Sequence, residues 1–149
     1  MDNKITGYTS TIVGNPWKNW LFIKLQTESG LEGYGEASLN GFVRSVQTNL
    51  AELEQYFVGK SVYSVTQIID DMLVKVYSDG GQIHRNSISA IESACWDIIG
   101  KSLGQPIWNL WGGSVREEIQ LYGNGWYQAE RDPASFSEKA SQAIAKGYK

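Results

Sequence analysis

The stretch Asn86–Gly113, NSISAIESACWDIIGKSLGQPIWNLWGG, limits what this chain can fold into more than any other. Ile88, Ile91, Cys95 and Ile98, with Ala94 and Ile99 one step round, recur at three- and four-residue spacing and draw a wide apolar stripe along a helix. Such a stripe must be covered by other elements. Ser89 with Glu92 has the form of a capping box, and Asn86 and Ser87 are also good caps, so the helix is expected to begin within a turn of these residues. Asp97 and Lys101 stand one turn apart with the acid first, the order that suits an exposed ion pair. Gly104 and Pro106 stop this helix, and a second, short one starting at Pro106 carries Ile107, Leu110 and Trp111 to the Gly112-Gly113 pair.

Upstream the pattern is β. Ile5–Val13 alternates weakly and contains threonines and a tyrosine, as an edge strand does. Gly14-Asn15-Pro16 breaks it. Leu21, Ile23 and Leu25 then face one way and Trp20, Phe22, Lys24 and Gln26 the other. Glu28-Ser29-Gly30 turns the chain into a third strand over Leu31–Ala37. Val46, Leu50, Leu53 and Phe57 mark a helix ending at Gly59, and Ser64 with Gln67 opens another along Val65, Ile68, Ile69, Met72, Leu73 and Val76. Asp70 and Asp71 are adjacent on that helix and diverge by about a hundred degrees, so they cannot act on one substrate. Ser78–Asn86 reads as a polar loop, in which His84 next to Arg85 is a surface pair or an electropositive edge of an anionic site.

After Gly113 the style changes. Ile119–Tyr122 reads as a strand, Gly123-Asn124-Gly125-Trp126-Tyr127 as a loop, and Asp132 caps a helix with Pro133 in its first turn and Phe136, Ala140 and Ile144 on its buried face. That is one β-loop-α unit of the kind that builds parallel barrels, and one unit cannot close a barrel. The chain is expected to be a segment of a longer protein, with its boundary near Ser114–Glu118.

Composition excludes several classes. At 149 residues and a net charge of −3, without a basic run, the chain offers little to nucleic acid. No apolar stretch approaches a membrane span and the first residues lack a signal-peptide core, so a soluble, cytoplasmic protein is expected. Cys95 is the single cysteine and lies on the apolar stripe, which makes a buried thiol. The self-sufficient catalytic motifs are missing: there is no phosphate loop, no His pair at helical spacing and no Gly-x-Ser-x-Gly elbow. Gly33-x-Gly35 sits in a hairpin strand and not in the strand-to-helix turn that binds dinucleotides.

The run Ala90-Ile91-Glu92, Ala94, Trp96-Asp97-Ile98, Gly100-Lys101, Gly104, Pro106, Leu110 and Gly112-Gly113 resembles the signature that closes the N-terminal capping domain in the mandelate racemase and muconate-lactonizing branch of the enolase superfamily. Thr27, Gly30-Leu31, Gly33, Gly35 and Glu36 resemble that family's second hairpin. Within the branch the chain looks most like acid-sugar dehydratases of galactonate and mannonate type. The resemblance implies an α+β capping domain over residues 1–116, a three-stranded antiparallel sheet with a helical bundle, and then, over residues 117–149, the first unit of a (β/α) barrel that this chain leaves incomplete. It implies that Mg²⁺ held at the ends of later barrel strands, with a lysine or histidine base, serves removal of the proton α to a carboxylate. Those groups would all lie beyond Lys149, so no catalytic or metal-ligating residue is expected here and the bare segment should be inactive. The intact protein would be an acid-sugar dehydratase and a homo-oligomer; a racemase or cycloisomerase of the same family is the alternative.

The same resemblance gives the cap a role in substrate selection, because its loops close the site and exclude water. Trp17, at the tip of the Gly14–Trp20 loop, is one candidate. Ala37-Ser38-Leu39-Asn40-Gly41 resembles the loop of mannonate-type dehydratases whose asparagine contacts substrate hydroxyls, and Asn40 falls on that position; a plain turn residue before a helix is the other reading. Asn124 and Trp126 follow the first barrel strand, whose loop belongs to the active-site face. Those dehydratases have a histidine where this chain has Asn124, a neutral group that replaces neither acid nor base. A stand-alone binding module is the reading from another class; the unpaired Ile119–Tyr122 edge speaks against it.

Overall fold

Alternating apolar and polar residues build a three-stranded antiparallel sheet, β1 (Ile5–Gly14), β2 (Asn19–Thr27) and β3 (Glu32–Glu36), in the order β1-β2-β3. The computed structural model describes residues 2–128 and 130–148. β2 is central, with Leu21, Ile23 and Leu25 buried on one face and Phe22 exposed on the other. Gly30, at φ 80°, takes the left-handed conformation that the β2–β3 turn requires, and its N–H donates to the Thr27 carbonyl.

The buried face of the sheet is covered by α1 (Val43–Phe57) and α3 (Gly81–Leu103); α2 (Val65–Val74) packs on these two helices, and the single turn α4 (Ile107–Leu110) follows α3. Val46, Leu50, Leu53 and Phe57 form the inward stripe of α1. Two contacts tie it to β1: the Tyr8 ring meets Phe57 edge-on at 5.4 Å, and Gln47 Nε2 donates to Ser10 Oγ at 3.0 Å. On α2, Val65, Ile68 and Met72 are buried, whereas Leu73 lies outside the stripe and is exposed. Every apolar residue expected on the α3 stripe is buried. Gly104, at φ 61°, ends that helix in the left-handed cap, as its sequence demands.

The closest packing is between β3 and α3. A Cβ on Gly33 would overlap the backbone carbonyl oxygen of Ala94, and one on Gly35 that of Ala90, so both positions must lack a side chain. The Asp97–Lys101 pair adds to this contact. Asp97 Oδ2 accepts from the Tyr34 N–H at 2.9 Å, while Lys101 Nζ donates to Asp97 at 2.6 Å and to the Glu32 carbonyl at 2.8 Å, 4.7 Å from the centre of the Tyr34 ring. What the sequence presents as an exposed ion pair thus also clasps the strand.

Two expectations are corrected in this part. α3 begins at Gly81 and not near Asn86–Ser89: Ser87, which looks like a cap, bonds back along the helix, its Oγ donating to the Ile83 carbonyl. The supposed loop is its first turns. His84 is consequently no surface residue. It is buried, donates from Nε2–H to the Met72 carbonyl at 2.9 Å, and sets Nδ1 3.3 Å from the Asn49 side-chain amide, joining α3 to α2 and α1. Arg85 points outward and pairs with Asp79 at 3.6 Å.

The chain divides into two compact units, Met1–Gly113 and Ser114–Lys149. In the second, Asp132 caps α5 (Pro133–Ala145) as expected, its Oδ1 accepting from the N–H groups of Ala134 and Ser135 at 3.0 Å each. Ile119–Tyr122, expected as a strand, forms none, since no neighbouring strand among the described residues completes its hydrogen bonds. The expected buried face of α5 is likewise uncovered, with Ile144 68% exposed, because one helix and one irregular segment cannot enclose it.

Substituting Gly35→Ala should destabilise the first unit by about 1–3 kcal/mol in urea unfolding, as the added methyl forces the strand off the helix. Gly7→Ala, whose Cβ meets nothing within 4 Å, should change stability by less than about 1 kcal/mol.

Candidate functional site

Two loops lie at the same end of the sheet, one leading into β2 and one following β3, and hydrogen bonds fix the path of each. In the first, Asn15 Oδ1 accepts from the N–H groups of Trp17 at 3.0 Å and Lys18 at 2.8 Å, and Asn15 N–H donates to the Lys18 carbonyl at 2.9 Å. With Pro16 fixing its φ, this closed Asx turn is stiff. It leaves Trp17 74% exposed with its ring edge-on to Trp20 at 6.0 Å, and places Lys18 Nζ 5.0 Å from the centre of the Trp20 ring.

The second loop follows β3. Leu21 anchors it twice, accepting from the Ala37 N–H at 2.7 Å and donating its own N–H to Ser38 Oγ at 3.0 Å. The chain then turns over Leu39–Phe42, where the Phe42 N–H reaches the Leu39 carbonyl and Gly41, at φ 81°, occupies the position that needs glycine. Asn40 sits at the corner of this turn, and α1 starts directly after it. Asn40 is thus a turn residue and also faces the first loop.

Between the loops lies an open cleft of about 370 Å³ lined by Asn15, Trp17, Lys18, Asn19, Asn40 and Arg44, among others. Trp17 and Asn40, singled out separately in the sequence, therefore share one site. Its chemistry is a flat aromatic surface, several amides and two cations, with no carboxylate among the lining residues. Arg44 carries no signal in the sequence beyond its place in the first helical turn after Asn40-Gly41.

Asn124 and Trp126 belong to the other unit, where they line a separate depression of about 510 Å³ with Tyr122, Lys139, Lys146 and Tyr148. The Tyr127 hydroxyl donates to Asn124 Oδ1 at 3.0 Å, and Trp126 meets Tyr127 edge-on at 5.9 Å.

Among the described residues no three His, Cys, Asp or Glu side chains cluster as metal ligands. No described helix is long and apolar enough to cross a membrane. Cys95 is wholly buried, and burial, helped by the charge of Glu92, pushes its thiol up to about 12. It is therefore no nucleophile at neutral pH.

Residues 11–112 match the family described as mandelate racemase / muconate lactonizing enzyme, N-terminal domain. The first unit thus has the sheet-and-helix fold of an enolase-superfamily cap, and the chain belongs to that family. It is 33% identical over 129 residues to D-galactonate dehydratase of Verminephrobacter eiseniae, covering 87% of this chain and 33% of that protein. It is also 33% identical over 136 residues to D-gluconate/D-galactonate dehydratase of Picrophilus torridus, covering 90% and 35%. An enolase from Pantoea ananatis, solved with bound D-gluconate and Mg, superposes with a TM-score of 0.86 at 28% identity over 99% of this chain and 35% of that one. A member of the enolase superfamily from Salmonella Typhimurium does so at 0.87 and 26%, over 98% and 41%. The chain spans about a third of the length of these curated relatives.

The folded thiol should resist a disulfide reagent at pH 8 and react once urea unfolds the protein. An unfolded cysteine titrates near about 8.5, so the stability that burying Cys95 protonated contributes is complete below that value. It should decline as pH rises from about 9 towards 12, read as a falling urea midpoint.

Proposed function

We propose that this chain is the substrate-selecting cap and first barrel unit of an acid-sugar dehydratase, with residues 1–116 as cap and 117–149 as barrel. The reaction would remove the proton α to the substrate carboxylate and release the β-hydroxyl as water; the enol product then tautomerises to a 2-keto-3-deoxy acid. The observation that carries this reading is the convergence of Trp17 and Asn40 on one cleft of a capping domain whose relatives are galactonate and gluconate dehydratases. An indole face packs against sugar C–H groups, and an amide that both donates and accepts matches a polyol. Asn124 and Trp126 complete the proposed set on the barrel unit. Mg²⁺, with the acid and base groups, would be supplied by the remainder of the protein, where it contributes Lewis-acid stabilisation of the substrate carboxylate.

The test is to incubate the full-length protein containing this chain with D-galactonate or D-gluconate and Mg²⁺, and to measure 2-keto-3-deoxy acid. Product is expected, and Asn40→Ala should lower kcat/KM about 10- to 100-fold, as loss of one well-placed hydrogen bond of about 1–3 kcal/mol requires. Trp17→Ala should do the same without lowering the melting temperature, since Trp17 is exposed. Epimerised acid or a lactone in place of the keto acid would move the enzyme to racemisation or cycloisomerisation.

A further inference from the structure

The sheet has two edges, and they are finished differently. At β3 the outward groups of Tyr34 and Glu32 are taken by Asp97 and Lys101. At β1 only the start is covered: the Ile5 N–H donates to the Lys60 carbonyl at 2.9 Å, and the Ile5 carbonyl accepts from the Gly59 N–H at 2.8 Å. Past a register shift between Ile5 and Gly7 the strand continues over residues 7–14, where its backbone bonds to β2 alone among the described residues. The direction of the free groups follows from β2. Leu21 turns its N–H and C=O towards Ser38 and Ala37 on the β3 side, so the next residue, Phe22, turns towards β1 and bonds its partner Thr11. The N–H and C=O groups of Tyr8, Ser10 and Ile12 therefore point away from the sheet. This stretch, GYTSTIVG, holds no charge and no proline, two of the features that guard an edge. Tyr8 and Ile12 are moreover only partly buried against the core.

We propose that the free edge of β1 pairs with β1 of a second copy of this chain, antiparallel about a two-fold axis at Ser10, which joins the two sheets into one. In that register the strand is its own complement. Tyr8 lies opposite Ile12 of the second copy, an aromatic and β-branched pair on the helix side, and Thr9 lies opposite Thr11, a threonine pair on the open side; both kinds are favourable across strands. A slip by one residue would set helix-side residues against open-side ones. The pairing is bounded as well: Asn15 of the second copy falls opposite Ile5, whose N–H and C=O are already bonded, and at Gly14 the strand ends. No charged side chain lies in the paired stretch, so two chains of net charge −3 meet there without a repelling pair. The two-fold contact uses both β1 edges and leaves only clasped β3 edges outside, so assembly closes at the dimer.

Sedimentation of the 149-residue chain should show a concentration-dependent dimer. Thr9→Lys combined with Thr11→Lys sets like charges opposite one another on the exposed face and should raise the dimer dissociation constant at least about 10-fold with the far-UV circular dichroism of the fold retained. Thr9 and Thr11 form a non-hydrogen-bonded pair in the proposed register, with Cα atoms about 4.5 Å apart, within reach of a disulfide. Oxidising a mixture of Thr9→Cys and Thr11→Cys chains should therefore give the mixed disulfide, while either variant alone cross-links poorly; buried Cys95 does not compete. The same mixed disulfide is expected in the full-length protein. A cross-link that forms in the 149-residue chain and vanishes in the full-length protein would assign the edge to another segment of the same molecule and overturn the second copy. So would a dimer that the lysine pair leaves intact, equal cross-linking by the single variants, or no dimer up to about 1 mM. None of these readouts needs turnover, so the inference stands or falls apart from the dehydratase reading.

Discussion

The structure depends on the approach of one strand to one helix without intervening side chains. At Gly33 and Gly35 the backbone of β3 lies against the carbonyls of Ala94 and Ala90, and no residue larger than glycine fits on the strand side. The small residues on the helix complete the match. This contact seats α3 on the sheet, and the seating buries Ile91, Ala94 and Ile98 together with Leu21, Ile23 and Leu25 in one core. Asp97 and Lys101 set the sliding register, since each bonds a backbone group of the strand as well as the other. A displaced strand would lose the clasp and drive a carbonyl into a Cα.

The candidate site is a by-product of that frame. Leu21 is a core residue through its side chain, yet its N–H and C=O hold the loop after β3 beside the loop before β2. One buried residue therefore couples the hydrophobic core to the spacing of the cleft walls. The tips of the walls are stiffened locally, the first by Asn15 and Pro16 and the second by a glycine turn. Side chains at their tips can be exchanged without touching the core, which suits a family whose members act on different substrates.

The local features of this fold were legible in the sequence. The alternation in β2, the glycine at the β2–β3 turn, the α3 stripe, the Gly104 stop and the Asp132 cap each follow from the chemistry of neighbouring residues. The start of α3 was not legible, because Ser87 returns its hydroxyl to the preceding turn and a capping residue then looks the same as a back-bonded one. His84 was misread for the same reason: only when the helix extends to Gly81 does it turn inward to Met72 and Asn49. In the second unit, Ile119–Tyr122 has the composition of a strand, but a strand is a relation between two segments and its partner is absent from the described residues. Of the site, Trp17 and Asn40 could be named from the resemblance. Their sharing of a cleft with Arg44 could not, because it rests on hydrogen bonds between segments that no local pattern records.

The clasp of Asp97 and Lys101 on β3 also bears on how this molecule meets others. β3 is an edge strand, and an edge offers its outward N–H and C=O groups to any strand that comes alongside. Here the outward N–H of Tyr34 is bonded to a carboxylate and the outward carbonyl of Glu32 to an ammonium group, so the vacancy that a foreign strand would fill is already occupied by the protein's own helix. Two of the edge's outward groups are thus already taken, which opposes strand-by-strand polymerisation at the place where a short, glycine-rich strand would otherwise invite it.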